Sequence, residues 1–162
     1  MGGRVFVISG PSGAGKSTII GEVRRRVDGL GYSVSHTTRR PRGKETSGVE
    51  YHFVEREVFR AMIEANAFAE WAEVFGDYYG TSFHELEEKT ARGLDLIMDL
   101  DVQGAQNMRR AVPGCVLVFV LPPTMEVLER RLLERGTDDP DAAARRIETA
   151  ATEIRRAPLY DY

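Results

Sequence analysis

The sequence has only one cysteine, no long apolar run and no excess of positive charge, and each of these features excludes a class of protein. The one cysteine, Cys115, has no partner for an intramolecular disulfide, which favours a reducing compartment. No apolar run approaches the ~20 residues needed to cross a bilayer, and the N-terminus lacks the pattern of a secretion signal. The formal net charge of -3 argues against a generally nucleic-acid-binding surface. We therefore predict a soluble cytoplasmic protein with no membrane, nucleic-acid or obligate protein partner.

What is present is typical of one globular domain with an α/β fold. The 162 residues are 42% hydrophobic and 29% charged, which disfavours disorder. Three short apolar runs have the composition of strands buried on both faces, and a helical pattern follows each of them. Strands that alternate with helices predict a parallel sheet. The predicted strands are 5–8, 94–100 and 116–121, and the predicted helices are 16–27, 102–111 and 124–134.

The stretch from 33 to 92 breaks this alternation. It is rich in aromatic residues and in Gly and Pro, and it has one helical segment near 55–65. We expect a small α+β insertion between the first two of the predicted strands, with Phe53, Phe68 and Trp71 in its core. Further along, Asp139 can cap a helix that has Pro140 in its first turn and runs from 142 to 157. That helix is polar on most faces, so we expect it to pack weakly and to move.

A glycine-rich loop between the first strand and the first helix matches the pattern G-x-x-x-x-G-K-[ST]. Its backbone N–H groups and the helix N-terminus are suited to bind the phosphates of a nucleoside triphosphate. Lys16 is one of only three lysines and would reach the β- and γ-phosphates, and Ser17 would bind Mg²⁺. The predicted ATP-binding residues here are Gly10, Pro11, Ser12, Gly13, Ala14, Gly15, Lys16, Ser17 and Thr18.

Asp99 ends an otherwise apolar strand, in the run Leu96-Ile-Met-Asp99-Leu-Asp101. A carboxylate in that position is costly unless it meets a cation or hydrogen-bond donors. We therefore expect Asp99 to join Ser17 in holding the Mg²⁺ of the nucleotide complex. The alternative is a solvated carboxylate at the end of a strand.

Four further motifs lie between the phosphate loop and Asp101. They are S-x-T-T-R-x-P-R from Ser35, G-x-x-Y-x-F from Gly48, E-W at Glu70 and Y-Y-G-T from Tyr78. With the phosphate loop, this combination closely resembles the guanylate kinases, which phosphorylate GMP with ATP in purine nucleotide metabolism. The resemblance runs from about Val5 to the last residues of the chain.

The resemblance implies a GMP site and a lid. Two arginines and two tyrosines would hold the phosphate of GMP, namely Arg39, Arg42, Tyr51 and Tyr79. The guanine would be bound by Ser35, Glu70, Thr81 and Asp101. Of the lid arginines, Arg131 and Arg146 would close over the triphosphate, and Arg135 would lie nearer the adenine. The resemblance thus implies Lys16, Arg39, Arg131 and Arg146 as the catalytic residues.

The implied architecture is a P-loop three-layer α/β fold in a single domain over 1–162. A parallel sheet core would span about 1–32 and 93–125, the GMP-binding insertion about 33–92 and the mobile helical lid about 126–157. Members of the family continue past a Tyr-Asp-Tyr stretch into a further strand and helix, which we expect to be absent here. Two alternatives stay open: a phosphopeptide-binding module related to guanylate kinases, and a P-loop kinase for another small acceptor.

Overall fold

The computed structural model describes residues 2–74, 76–134 and 140–162, and it has an α/β fold. The predicted alternation of strands and helices is confirmed. In chain order the elements are β1 (Val5–Ser9), α1 (Lys16–Arg26), β2 (Leu30–Tyr32), β3 (His36–Thr37), β4 (His52–Phe53), α2 (Arg56–Glu64), β5 (Phe68–Val74), β6 (Asp77–Ser82), α3 (Phe83–Ala91), β7 (Asp95–Asp99), α4 (Val102–Ala111), β8 (Val116–Phe119), α5 (Met125–Glu134), α6 (Pro140–Ile154) and a 3-10 turn (Ala157–Leu159).

The core is a four-stranded parallel sheet in the order β2-β7-β1-β8. Its three longer strands are the predicted ones. The fourth, β2, is an addition, so the insertion follows the second strand of the chain rather than the first. This strand is only three residues long and contains Gly31, and its residues are only half-buried. It therefore lacks the apolar run that marks the other three.

Helices cover both faces of this sheet, which gives the expected three layers. On one face, Leu96, Met98 and Leu117 pack with Met108 of α4 and Leu86 of α3. On the other face, the side chains come chiefly from β1, β7 and α1, with Ile8, Ile20 and Ile97 buried together. Since the helices follow the carboxyl ends of the strands, the loops that begin α1 and α4 meet at one edge of the sheet.

The insertion has its own sheet, in the order β4-β3-β6-β5, and α2 packs against it. Phe59 of α2 is fully buried, with its ring stacked on Phe68 at 4.4 Å and on Tyr78 at 5.4 Å. The prediction that Trp71 lies in this core is wrong, since 41% of its surface is exposed and it meets Tyr78 edge-on. Trp71 follows the buried Glu70 in β5, so alternation along the strand turns the indole outward.

The helices α5 and α6 pack together through Leu128, Leu132 and Ala150, all nearly inaccessible to solvent. Thr124 caps α5, because its hydroxyl accepts a hydrogen bond from the Val127 N–H at 3.2 Å. The next helix begins at Pro140 as expected, while the predicted cap at Asp139 falls outside the described residues. Within the described chain, no helix has both the length and the apolar character that a membrane crossing requires.

Candidate active site

The phosphate loop joins β1 to α1 and needs glycine at specific points. Gly10 has φ of +136°, and a Cβ there would lie 2.4 Å from the carbonyl oxygen of Val120. Gly15 adopts a left-handed conformation with φ of 103° immediately before α1. Neither position tolerates a side chain without a shift in the backbone. The loop therefore brings its main chain close to β8 and places the N-terminus of α1 at the carboxyl edge of the sheet.

Lys16 lies across this loop. Its Nζ donates to the carbonyl oxygens of Gly10 at 2.8 Å and Pro11 at 3.3 Å, and it is 3.9 Å from Asp99 Oδ1. Asp99 reaches the same edge because β7 pairs with β1 and Ile8 lies opposite Asp99. The strand-end carboxylate and the loop lysine, predicted separately from the sequence, thus face each other.

Asp99 and Ser17 line one cavity of about 420 Å³. Burial raises the pKa of Asp99, with Asp101 adding to the rise and Lys16 opposing it. A carboxylate in this environment gains from a cation, and a hydroxyl beside it supplies the hard oxygen that Mg²⁺ prefers. The described residues contain no cluster of three or more His, Cys, Asp or Glu suited to a metal. These two protein oxygens could hold a Mg²⁺ whose other ligands would be phosphate oxygens and water.

Arg39 is the most constrained of the predicted phosphate-binding residues. It is 9% exposed, and its Nη1 and Nη2 each lie 3.0 Å from an oxygen of Glu45. Nη1 also donates to the carbonyl of Arg40 at 2.8 Å. The pKa of Arg39 is raised, chiefly by the hydrogen bond to Glu45. The guanidinium is therefore fixed and permanently charged.

Sequence reasoning missed Glu45, whose only signal was an acidic side chain close to a run of arginines. Its Oε2 also accepts the Arg42 backbone N–H at 2.7 Å, so it organises the whole turn. The Arg42 side chain is exposed at the rim of that turn. Tyr51 lies under the Arg39 guanidinium at 5.4 Å and meets Tyr79 edge-on at 5.9 Å. The four predicted phosphate-binding residues therefore share one region.

Three of the four predicted guanine-binding residues form a hydrogen-bonded chain. Ser35 Oγ and Thr81 Oγ1 are 3.2 Å apart, and Thr81 Oγ1 donates to Glu70 Oε1 at 2.9 Å. Glu70 is 6% exposed, and its pKa rises to about 7, mainly through burial and to a smaller extent through Asp101. Thr81 opposes the rise. Asp101 lies at the start of α4, where its Oδ1 accepts the Gly104 N–H at 2.6 Å.

One cleft of about 550 Å³ joins these groups to the phosphate loop. Ten of its lining residues were predicted as site residues, and they come from the loop, the insertion, the sheet edge and α6. They are Gly10, Ser12, Lys16, Ser35, Tyr51, Glu70, Tyr79, Asp99, Asp101 and Arg146. Arg39 and Thr81 are buried residues, and their hydrogen bonds and ring contacts place them against this lining. Glu153 of α6 also lines the cleft and was not predicted, because its helix is polar on most faces.

The lid arginines differ in position. Arg131 Nη1 donates to the carbonyl oxygens of Gly13 at 3.0 Å and Ala14 at 3.5 Å. It lines a second cavity of about 650 Å³ together with Gly15 and Thr18. Arg146 lines the main cleft instead. The prediction for Arg135 falls outside the described residues.

Comparison with known proteins gives a consistent result. The family model described as "Guanylate kinase" matches residues 2–162. The guanylate kinase of Koribacter versatilis is 48% identical over 165 residues, which cover 100% of this chain and 71% of that protein. The guanylate kinase of Geobacter metallireducens is 48% identical over 160 residues, covering 99% and 79%. The crystal structure of guanylate kinase from Anaplasma phagocytophilum superposes with a TM-score of 0.77 at 33% identity, covering 99% of this chain and 75% of that one.

Proposed function

Since the chain belongs to the guanylate kinase family, we propose that its main cleft is where it transfers the γ-phosphate of ATP to GMP. The chain is an ATP:GMP phosphotransferase. The observation that carries the assignment to this cleft is the placement of Lys16, Glu70 and Asp101 along one continuous cavity. Lys16, which is suited to bind a triphosphate, thus lies in the same cavity as Glu70 and Asp101, which are suited to bind guanine. One ATP and one GMP can therefore reach these residues together.

Arg39 and Tyr79 are proposed to hold the phosphate of GMP, with Arg42 and Tyr51. Guanidinium groups pair with phosphate oxygens in a bidentate geometry, and phenols add donors. Because Glu45 fixes Arg39 before any ligand arrives, little side-chain entropy is lost when the phosphate binds.

Glu70 and Asp101 are proposed to accept the N1–H and N2–H groups of guanine, with Ser35 and Thr81 completing the contacts. Adenine carries a bare acceptor at N1, so a carboxylate there would face a lone pair. A site with buried polar groups rejects a base that leaves them unpaired, by a factor of about 10⁴ in comparable cases. Glu70 is buried enough for that penalty to apply.

The loop from Gly10 to Thr18 is proposed to bind the ATP phosphates, and Ser17 and Asp99 to hold the Mg²⁺. When bound, that ion neutralises charge on the β- and γ-phosphates. Lys16 already faces Asp99 and would contact the same phosphates. The β- and γ-phosphates would therefore meet a lysine, backbone N–H groups and a cation together.

Arg131 and Arg146 are proposed to stabilise the phosphoryl group during transfer and to exclude water. The first already contacts the phosphate loop, and the second lines the cleft from α6. An arginine that neutralises the moving group is worth a large factor in rate for related phosphoryl transfers. The division of the chain into a core, an insertion (33–92) and a lid (126–157) is part of this proposal. The cytoplasmic location of the protein stays a prediction.

The proposed chemistry needs no general base. An oxygen of the GMP phosphate attacks the γ-phosphorus in line, and the bond to the oxygen bridging the β- and γ-phosphates breaks, which releases ADP. A phosphate oxygen is a competent nucleophile near neutral pH. Positioning and charge neutralisation by the chain's own residues are therefore the main contributions.

Steady-state kinetics of three variants test these assignments. We expect Lys16→Ala to lower kcat at least about a hundredfold with any acceptor, the scale seen when one transition-state donor is removed. Arg39→Ala should mainly raise KM for GMP and leave KM for ATP within a factor of two. Lys44→Ala is the matched control, because this lysine is exposed and is not among the residues that line the cleft. Equal losses in all three variants would contradict the assignment.

A further inference from the structure

Gly104 is the third residue of α4, and it is buried directly beneath the two carboxylates of the proposed guanine site. Its backbone N–H donates to Asp101 Oδ1 at 2.6 Å. A Cβ at this position would lie 3.1 Å from Glu70 Oε2 and 3.2 Å from Asp101 Oδ1. Both distances are shorter than ordinary van der Waals contact, so a methyl group would press on both carboxylates at once.

The backbone gives no reason for a glycine here. Gly104 lies in the first turn of a regular helix and is not among the glycines of positive φ. Alanine is the best helix former and glycine is worse by roughly 1 kcal/mol in a helix interior. Glycine at 104 is therefore unfavourable for α4 taken alone, and what it supplies is space next to Glu70 and Asp101.

We propose that Gly104 is a positioning residue for guanine recognition: its missing side chain lets the Glu70 and Asp101 carboxylates converge on the same base edge. The proposal rests on the function assigned to the cleft above. The proposal adds Gly104 as a specificity determinant that acts through Glu70 and Asp101 and not through a side-chain contact with the substrate.

Neither carboxylate has an easy way to yield to a methyl group. Glu70 accepts a hydrogen bond from Thr81, which is itself fully buried and linked to Ser35. Asp101 is held by capping α4, and rotating it away would leave the Gly104 N–H without its partner. A methyl at 104 must therefore displace an acceptor by a few tenths of an ångström or tilt the first turn of α4.

A second consequence concerns solvation. A methyl beside Glu70 Oε2 removes more water from a carboxyl whose pKa burial already raises to about 7. Protonated Glu70 loses an acceptor for guanine. We therefore expect the pH below which KM for GMP rises to move upward in Gly104→Ala, a change that a general loosening of the fold would not produce.

The test compares Gly104→Ala with Gly21→Ala. Gly21 lies in α1, and a Cβ there would meet nothing within 4 Å beyond its own helix backbone, so the control makes the same substitution in a helix with open space. We expect Gly104→Ala to raise KM for GMP about tenfold, the effect of one weakened hydrogen bond. KM for ATP should stay within a factor of two and kcat should change less than KM. Gly21→Ala should change neither constant.

A double-mutant cycle with Glu70→Ala keeps the proposal falsifiable even if crowding lowers the stability of Gly104→Ala. Once the Glu70 carboxylate is gone, the methyl group of Gly104→Ala can act only through Asp101, so it should raise KM for GMP about threefold further rather than tenfold. Additive effects of the two substitutions would overturn the proposal, as would an unchanged KM for GMP in Gly104→Ala. If Glu70→Ala itself leaves KM for GMP unchanged, the assignment of the guanine site is wrong, which is a different failure.

Discussion

Burial governs the chemistry of Glu70. Its carboxylate is 6% exposed, and its pKa rises from 4.5 to about 7. The folded protein therefore holds a proton on Glu70 between pH 4.5 and 7 that the unfolded chain has released. The contribution of Glu70 to stability must fall as pH rises through this window, because there this group binds more protons in the folded state than in the unfolded state. This destabilisation by Glu70 is complete above pH 7.

Glu70→Gln should remove that destabilisation. The pKa difference corresponds to about 3 kcal/mol at 1.36 kcal/mol per pH unit, so we expect the variant to be more stable at pH 8 by about 1–3 kcal/mol. The gain should shrink as pH falls to 4.5. Urea unfolding at pH 5, 6.5 and 8 measures it. Glu73→Gln, an exposed carboxylate in the same strand, is the control. A gain that is equal at all three pH values would contradict the account.

Glu45 offers a second test on a single residue. We expect Glu45→Gln to raise KM for GMP about threefold to tenfold, because Arg39 loses the charged partner that fixes both of its terminal nitrogens. KM for ATP should not change. Glu64→Gln, exposed on α2, is the control. An unchanged or lower KM for GMP would show instead that Glu45 competes with the phosphate for Arg39.

Among single residues, sequence reasoning succeeded where a motif fixes both residue type and spacing. Lys16 and Asp99 were each singled out from a local pattern, and the structure places them 3.9 Å apart. It failed where a role depends on a neighbour distant in sequence or on missing volume. Glu45 matters only because the turn brings it onto Arg39, and Gly104 matters only because Glu70 arrives from β5.

The helices α5 and α6 depend on a small contact surface. Leu128 is fully buried. It lies against Gly13 of the phosphate loop, and it also belongs to the cluster that packs α5 on Ala150 of α6. The contact joins the proposed lid to the loop that would bind the phosphates, and Arg131 adds a hydrogen bond to the same loop. Packing at Leu128 should therefore affect ATP more than GMP.

Leu128→Ala tests the role of this contact. Removing a fully buried leucine side chain typically costs about 2–5 kcal/mol. We expect the free energy of unfolding to fall by an amount in this range, or α5 to loosen locally with a higher KM for ATP and little change in KM for GMP. Leu133→Ala is the matched control on the same helix, because Leu133 is 61% exposed and should change stability by less than about 0.5 kcal/mol. Equal effects of the two substitutions would contradict the packing argument.

The strength of the local signal decided which elements the sequence predicted. The strands β1, β7 and β8 are short apolar runs and a helical pattern follows each of them, and the sequence predicted all of these elements. The strand β2 was missed because three half-buried residues carry little pattern. The helix α3 was missed because it directly follows β6 at Ser82, whose hydroxyl accepts the Glu85 N–H, without a loop to separate them.

The whole molecule is organised around one cleft that the sheet edge, the insertion and α6 all line. The phosphate loop, the arginines and the carboxylates come from distant parts of the chain, and their convergence follows from the parallel sheet. The resemblance to guanylate kinases anticipated this convergence, and composition or periodicity alone could not. The central claim is that the cleft uses the Glu70 and Asp101 carboxylates to select guanine as the acceptor base.

A coupled assay of ADP release with GMP, AMP, dTMP and CMP as acceptors tests that claim most directly. Each acceptor is measured with the unaltered chain and with Glu70→Ala. We expect turnover with GMP to exceed that with AMP by a factor of about 10⁴ in kcat/KM, and Glu70→Ala to reduce that ratio by at least about tenfold. Equal turnover with AMP, or no turnover with GMP by a folded chain, would contradict the account.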